Sequence, residues 1–313
     1  MTQPPPRPTR ITLGTAQLGP RYGIANRAGR PDDATATALL DRAWDLGIRS
    51  FDTAPAYGNA EERLGRWLGA DHQGAMVISK LPRLAGDAVR RADAVRRADT
   101  VRRADTVRRV FDESEAALGP NRLTAYLAHD VDDLADPAVV DTLRALEEEG
   151  RIAAFGASVY TPEQAMRALG VEGAGAIQLP LSLFNQRMVE SGALAACAAA
   201  EVTVFARSVF VQGLIFLDPA ALPEHLAAAR GVLGEFRTLC AAAKTDPLSL
   251  ALAVVVARSE IDSVVVGAEK PGQIEDIAAA AAKTADPDLI SRALALTAEA
   301  PSDLFDPSTW SPH

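Results

Sequence analysis

Two hydrophobic periods alternate along this chain. Short apolar runs that read as buried strands are each followed by longer runs whose apolar positions recur every three or four residues. The strand-like runs are ITLGTA (11–16), SFDTA (50–54), AMVISKL (75–81), LTAYLAHD (123–130), AAFGAS (153–158), AIQLP (176–180), VTVFARS (202–208) and DSVVVGA (262–268). Helical text follows at 34–47, 60–69, 110–119, 137–151, 161–169, 192–200, about 225–258 and 271–283. Parallel neighbours need long crossovers, so strand-then-helix repetition predicts a parallel sheet covered by helices. Eight such units without a break predict an α/β fold, a closed (β/α)8 TIM barrel over residues 11–313 behind a loose Pro-rich tail at 1–10. No GxGxxG turn follows the first strand and no GxxxxGK[ST] loop occurs, which disfavours a doubly wound nucleotide fold.

The third unit carries an insertion. Residues 89–109 read VRRADAVRRADTVRRADTVRR, a six-residue unit present three times with a fourth begun. Removing 18 residues, 89–106, leaves LAGDAVRRVFDESEAALG, one ordinary helix. Eighteen residues make about five whole turns at ~3.6 residues per turn, so the insertion keeps the core face, from Val110 or Phe111 to Leu118, in phase. Val89, Val95, Val101 and Val107 step round the helix by about 240° each, from the ~100° turn per residue, so they form no apolar stripe. The repeat therefore reads as a protruding charged helix or a partly disordered loop. An arm for a protein partner is the second reading. Nucleic acid is disfavoured, because the repeat has no aromatic residue for stacking and its aspartates repel phosphates.

Composition narrows the class. The chain has 313 residues, 48% hydrophobic and 23% charged, which suits a globular protein with a large core. Its net charge is −9, and the repeat contributes +5, so the remainder is −14. Such an acidic body disfavours nucleic-acid and membrane surfaces. Cys197 and Cys240 stand in Ala-rich helical text without metal-ligand or redox spacing, which reads as two core thiols in a reducing, cytoplasmic setting. The start, MTQPPPRPTR, lacks the apolar core of a secretory signal.

Reactive groups of a (β/α)8 barrel gather where its strands end. Strand two is followed by FDTAPAYG with Asp52 and Tyr57, strand three ends at Lys80, and strand four ends at His129. Taken singly, these have plainer uses as a turn cap, loop packing, a solvated rim charge and a core histidine. Together they fit proton delivery to a carbonyl oxygen. A phenol titrates near pH 10, a neighbouring ammonium favours phenolate, a carboxylate holds the ammonium, and an imidazole orients the oxygen. None of the four supplies hydride, so the chemistry needs a nicotinamide cofactor.

These motifs resemble the aldo-keto reductase family. FDTAPAYGNAEERLG, ISKL and YLAHD are followed in order by GRIAAFGASVYT, IQLPLSLFN, RSVFVQGL and VVVGAEKPGQIED, covering about residues 10–283. The resemblance implies a cytoplasmic oxidoreductase that reduces an aldehyde or ketone, without metal, with Tyr57 as general acid assisted by Lys80, Asp52 and His129. It implies Ser158 and Gln178 at the nicotinamide amide, and Gly267, Lys270 and Gln273 at a cofactor phosphate. Two positions depart from the family. Val159 stands where Asn is frequent. Arg207 stands where an aromatic ring often stacks on the nicotinamide, and its guanidinium is available to the cofactor or to an anionic substrate group. The resemblance implies NADP(H), while Glu269 beside Lys270 leaves NAD(H) open. Tyr22, Trp67 and Phe210 are candidate walls of the substrate pocket. The tail with Phe305 and Trp310 folds either over the rim or against the outside. Two other functions fit the same text: an NAD-dependent sugar or alcohol dehydrogenase, and a non-catalytic cofactor-binding regulatory subunit that uses the repeat as its arm.

Overall fold

The computed structural model describes residues 9–310 except 28, 70, 73, 85–95, 120–122, 285 and 299. Its strands are β1 (Ile11–Gly14), β2 (Ser50–Asp52), β3 (Met76–Leu81), β4 (Ala125–Ala128), β5 (Phe155–Ser158), β6 (Ala176–Pro180), β7 (Thr203–Arg207) and β8 (Ser263–Gly267). Each pairs in parallel with its sequence neighbours, and β8 closes on β1 with Gly14 opposite Gly267. The helices between them are α1 (Asp33–Asp45), α2 (Ala60–Leu68), α3 (Arg96–Leu118), α4 (Pro137–Glu148) and α5 (Pro162–Leu169). Then come α6 (Arg187–Glu190), α7 (Ala193–Ala199), α8 (Arg230–Ala242), α9 (Pro247–Val256), α10 (Pro271–Ala281) and α11 (Pro287–Thr297). The closed (β/α)8 barrel is the expected architecture.

Local chemistry starts several of these helices. Asp32, Asp136, Thr161, Asp246 and Asp286 each accept a backbone N–H of the first turn with the side chain, and four of these five helices have Pro in their first positions. Such a cap contributes about 1 kcal/mol. The strands are buried on both faces, as parallel barrel strands must be. The main core lies between sheet and helices. A separate inner cluster of Ile78, Ala125, Leu127, Ala154, Ala176 and Phe205 fills the barrel itself.

The end of the repeat is continuous with α3. Val107, Phe111, Ser114 and Leu118 form its buried face, at spacings of four, three and four residues, while Val101 is 60% exposed. Residues 89–95 lie outside the described residues. Val107, the first residue after the expected insertion at 89–106, already faces the core. The 240° step that turns Val101 outward brings Val107 to the core, and Arg103 reaches Asp136 at 3.2 Å. At Gly65 a side chain is sterically barred, since a Cβ there would lie 2.0 Å from the carbonyl oxygen of Ala117, so α2 and α3 meet backbone to backbone. We expect deletion of 89–106 to keep turnover within about twofold, because the buried face stays in phase, and to lower stability by about 1 kcal/mol through loss of the part-buried Arg103–Asp136 pair. Turnover and a thermal melt measure this. Lost turnover in a folded protein would mean that the repeat reaches the site.

Two boundaries shift, and of the two courses expected for the tail the structure takes the one over the rim. The helical text at 225–258 is two helices, α8 and α9, broken around Lys244, whose φ is +53°. The barrel is anchored before residue 11, where Arg10 donates to the carbonyls of Val256, Ile261 and Arg258; residues 1–8 of the expected tail lie outside the described residues. The chain end carries α11 and then crosses the rim. Phe305 is buried and stacks on Phe184 with centroids 4.7 Å apart, within a second core that joins α8, α9 and α11. Among the described residues no single helix is long and apolar enough to cross a membrane.

Candidate active site

Side chains alternate along a strand, so an inward residue is followed two places on by another. The inner cluster therefore predicts what stands above it: Ile78 leads to Lys80, Leu127 to His129, Ala176 to Gln178 and Phe205 to Arg207. Asp52 ends β2, and Tyr57 closes a short 3-10 turn, Pro55–Tyr57. That turn lies close under the β1 loop. A Cβ on Gly19 would stand 1.7 Å from the Tyr57 carbonyl oxygen, so only glycine permits this approach.

Lys80 is fully buried and donates through Nζ to Asp52 Oδ1 at 2.7 Å and to the Thr53 carbonyl at 2.9 Å. Its Nζ lies 5.1 Å from the centre of the Tyr57 ring. The same Asp52 oxygen accepts Gln178 Nε2 at 2.7 Å, which ties β6 to β2 across the barrel mouth. Ser158 Oγ is 3.4 Å from Gln178 Oε1.

The electrostatics give each group a definite protonation state. Burial opposes the Lys80 charge, but Asp52 and Tyr57 together outweigh it and hold the ammonium above the usual lysine range. Burial pushes the Tyr57 phenol up, Lys80 and Arg207 pull it down, and Asp52 pushes it up again; the phenol stays above its ordinary value. This corrects the expectation of a depressed phenol: in this low-dielectric setting the desolvation of phenolate exceeds the help of one ammonium already shared with Asp52. For His129, burial acts first, then Lys80, Arg83 and Arg207, and the imidazole falls to about 4. At neutral pH the site holds a charged lysine beneath a neutral phenol, with a neutral imidazole beside them. That set can donate a proton and orient an oxygen.

Asp52, Tyr57, His129, Ser158, Gln178 and Arg207 line one cavity of about 530 Å³, a size within the range of ligand sites. It runs on past Gly14 and Gly267 to Glu269 and Gln273 at the start of α10. A nicotinamide nucleotide suits this donor set. Ser158 and Gln178 offer a hydroxyl and an amide carbonyl, and Gly14 faces Gly267 on the same wall, where the Gln17 side chain packs against Gly267. At the far end Gln273 Oε1 accepts the N–H groups of Glu269 at 2.6 Å and Lys270 at 3.1 Å.

A model of the aldo/keto reductase family matches residues 10–296. The chain belongs to that family. It is 28% identical to D-threo-aldose 1-dehydrogenase from a Pseudomonas species, over 85% of this chain and 90% of that protein. A shorter match, 24% of this chain at 42% identity, spans only 21% of pyridoxal 4-dehydrogenase from Microbacterium luteolum. The solved glycerol dehydrogenase of Gluconobacter oxydans shares the fold, with a TM-score of 0.72 at 23% identity over 97% of this chain and 96% of that one.

This aldo/keto reductase is thus an NAD(P)-dependent oxidoreductase. Tyr22, 38% exposed, and Phe210, packed on Phe216, both line the cavity. Trp67 does not, and its assignment to the substrate wall is corrected. It lies in α2 on the outside of the barrel, stacked on His72 at 3.7 Å with its indole N–H on Asp41. Its apolar face belongs to helix packing, as its spacing of three residues from Leu64 signals. Lys270 stands one residue beyond the lining, as the N-cap of α10. Cavity residues missed by the sequence reading include Gln17, Tyr160, Gln212 and Asp306. Tyr160 sits two residues after β5, where reading the end of every strand finds it. Asp306 carries no such signal, because only the tail's packing through Phe305 brings it to the rim.

Proposed function

We propose that this oxidoreductase transfers hydride between a nicotinamide cofactor and the carbonyl carbon of an aldehyde or ketone, with Tyr57 as the proton donor to oxygen. The observation that carries this is the fully buried Lys80, bonded to Asp52 and placed under the Tyr57 ring at the floor of a cavity that also holds His129. An ammonium is not buried this way for solubility. It stabilises negative charge as the phenol proton leaves. Asp52 fixes the ammonium and, through Gln178, the amide that meets the nicotinamide. Neutral His129 holds the carbonyl oxygen near the phenol. The reduced nicotinamide supplies the hydride when bound; Ser158 and Gln178 hold its carboxamide, and Gln273 and the α10 terminus take its phosphate-bearing half. The test is oxidation of reduced nicotinamide by purified protein with an activated aldehyde. No turnover across aldehydes, ketones and sugars sinks the reading.

The family expectation of NADP(H) competes with a second reading, an NAD(H)-dependent sugar or alcohol dehydrogenase. Glu269 favours the second. It lines the cavity at the α10 end, where the neighbouring charges on that helix are Lys270, Asp276 and Glu275, the last already paired with Arg42 at 2.6 Å. A carboxylate suits a ribose 2′-hydroxyl and repels a 2′-phosphate. Two relatives are named dehydrogenases, which supports the dehydrogenase half of this reading. Fluorescence titration is expected to give tighter NADH than NADPH binding, by about tenfold or ~1.4 kcal/mol, with Glu269→Gln narrowing the gap. Tighter NADPH binding returns the cofactor to the family expectation.

A further inference from the structure

The charges that line the cavity pair off, with two exceptions. Asp52 is paired with Lys80, and Asp306 with Arg187. Glu269 stands at the α10 end, and Arg207 stands at the end of β7. The Arg207 guanidinium is held by neutral partners. It donates to the Val159 carbonyl at 2.9 Å and to Ser208 Oγ at 3.2 Å, and its carbon lies 4.4 Å from the centre of the Tyr160 ring. Ser208 takes a left-handed φ of +66°, an uncommon conformation for serine, and its own hydroxyl oxygen accepts from the guanidinium. No carboxylate lies within ion-pair distance of Arg207 among the described residues.

Guanidinium is the cation best matched to carboxylate and phosphate, since its planar fork bonds two oxygens at once. A half-buried guanidinium costs free energy unless an anion meets it, and here the protein offers none. Its field reaches Tyr57 and His129, which places it at the reacting end of the cavity rather than at the α10 end. Tyr160 stacks on one face of the fork and, with the Val159 carbonyl, fixes its plane. The geometry is that of a preset anion site beside the proposed proton donor.

We propose that Arg207 binds an anionic group of the substrate, so that the preferred carbonyl compound carries a carboxylate or a phosphate. This rests on the hydride-transfer reading above. Anion recognition by Arg207 adds to that reading a substrate class: oxo acids, or aldehydes and ketones bearing phosphate.

The experiment compares matched pairs that differ in the anion: 4-carboxybenzaldehyde against methyl 4-formylbenzoate, and glyceraldehyde 3-phosphate against glyceraldehyde. For the wild type, kcat/KM is expected to favour the anionic member of at least one pair by tenfold or more, and the pair that responds identifies carboxylate or phosphate. Arg207→Met is expected to raise the KM of the anionic member at least tenfold more than that of the neutral member, which erases the preference. Arg207→Lys keeps the charge without the fork and is expected to retain part of it, which also covers a methionine variant that fails to fold. Equal use of both members of both pairs by the wild type overturns the proposal. So does an Arg207→Met protein that keeps the anion preference but binds nicotinamide nucleotide more weakly, which assigns Arg207 to the cofactor. Turnover of neutral aldehydes in either case leaves the hydride-transfer reading standing. Absence of turnover with every carbonyl removes that reading and this one together.

Discussion

Tyr57→Phe is expected to lower carbonyl reduction by about 10²–10⁴-fold, the usual worth of a positioned proton donor, while the protein stays folded and binds nicotinamide nucleotide as before. The substitution removes one oxygen and keeps the ring that lies over Lys80. The same chemistry sets the pH profile. His129 titrates at about 4, and the Tyr57 phenol lies above its ordinary value of 10, so neither changes charge in between. Reduction is expected to be flat from about pH 5 to 9, to fall on the acid side as His129 protonates, and to fall on the alkaline side as the phenol loses its proton. Stability follows the sign of the His129 shift. The folded state binds that proton less tightly than the unfolded chain, whose histidine titrates near 6.5, so this contribution is present above about 6.5 and is lost as pH falls towards 4. Steady-state rates across pH, with circular dichroism on the variant, check both halves. Full turnover by Tyr57→Phe rules out the proton-donor role.

Much of the fold was legible because the barrel repeats one physical unit. Each strand is buried on both faces and each helix on one, so the periods alternate audibly through the whole sequence. The four rim residues were legible for the same reason, since every strand delivers its chemistry at one end. Legibility ended where a residue's role depends on long-range packing. Trp67 looked like a pocket wall as a loop aromatic, yet it belongs to a helix face against Trp44 and Phe51. Asp306 reaches the cavity only because Phe305 docks on Phe184. Within the repeat, the rotation that scatters its valines turns Val101 outward and Val107 to the core. The net direction of the Tyr57 shift was not legible, because sequence names the neighbouring charge but not the depth of burial that opposes it.

Asp52→Asn is expected to destabilise the protein by about 3–5 kcal/mol, the usual effect of stripping one partner from a buried ion pair. The substitution keeps a carbonyl oxygen for Lys80 and Gln178, so it tests the charge and not the hydrogen bonds. Lys80 is fully buried, and in Asp52→Asn its acceptors, the Asn and Thr53 carbonyls and Tyr57, are all neutral. Lys80→Met alone leaves Asp52 with Gln178 as its bonded partner and is expected to destabilise by a similar amount. The double variant Asp52→Asn/Lys80→Met removes both charges, and urea midpoints are expected to show it more stable than either single variant, because a buried pair replaced as a unit leaves no unmatched charge. Reduction should stay lost in the double variant, since the phenol no longer has an ammonium to stabilise its departing proton. Stability and activity thus move in opposite directions along one cycle. That separation is what distinguishes a pair kept for proton transfer from a pair kept for the fold, and additive losses of stability around the cycle would falsify the coupling on which the distinction depends.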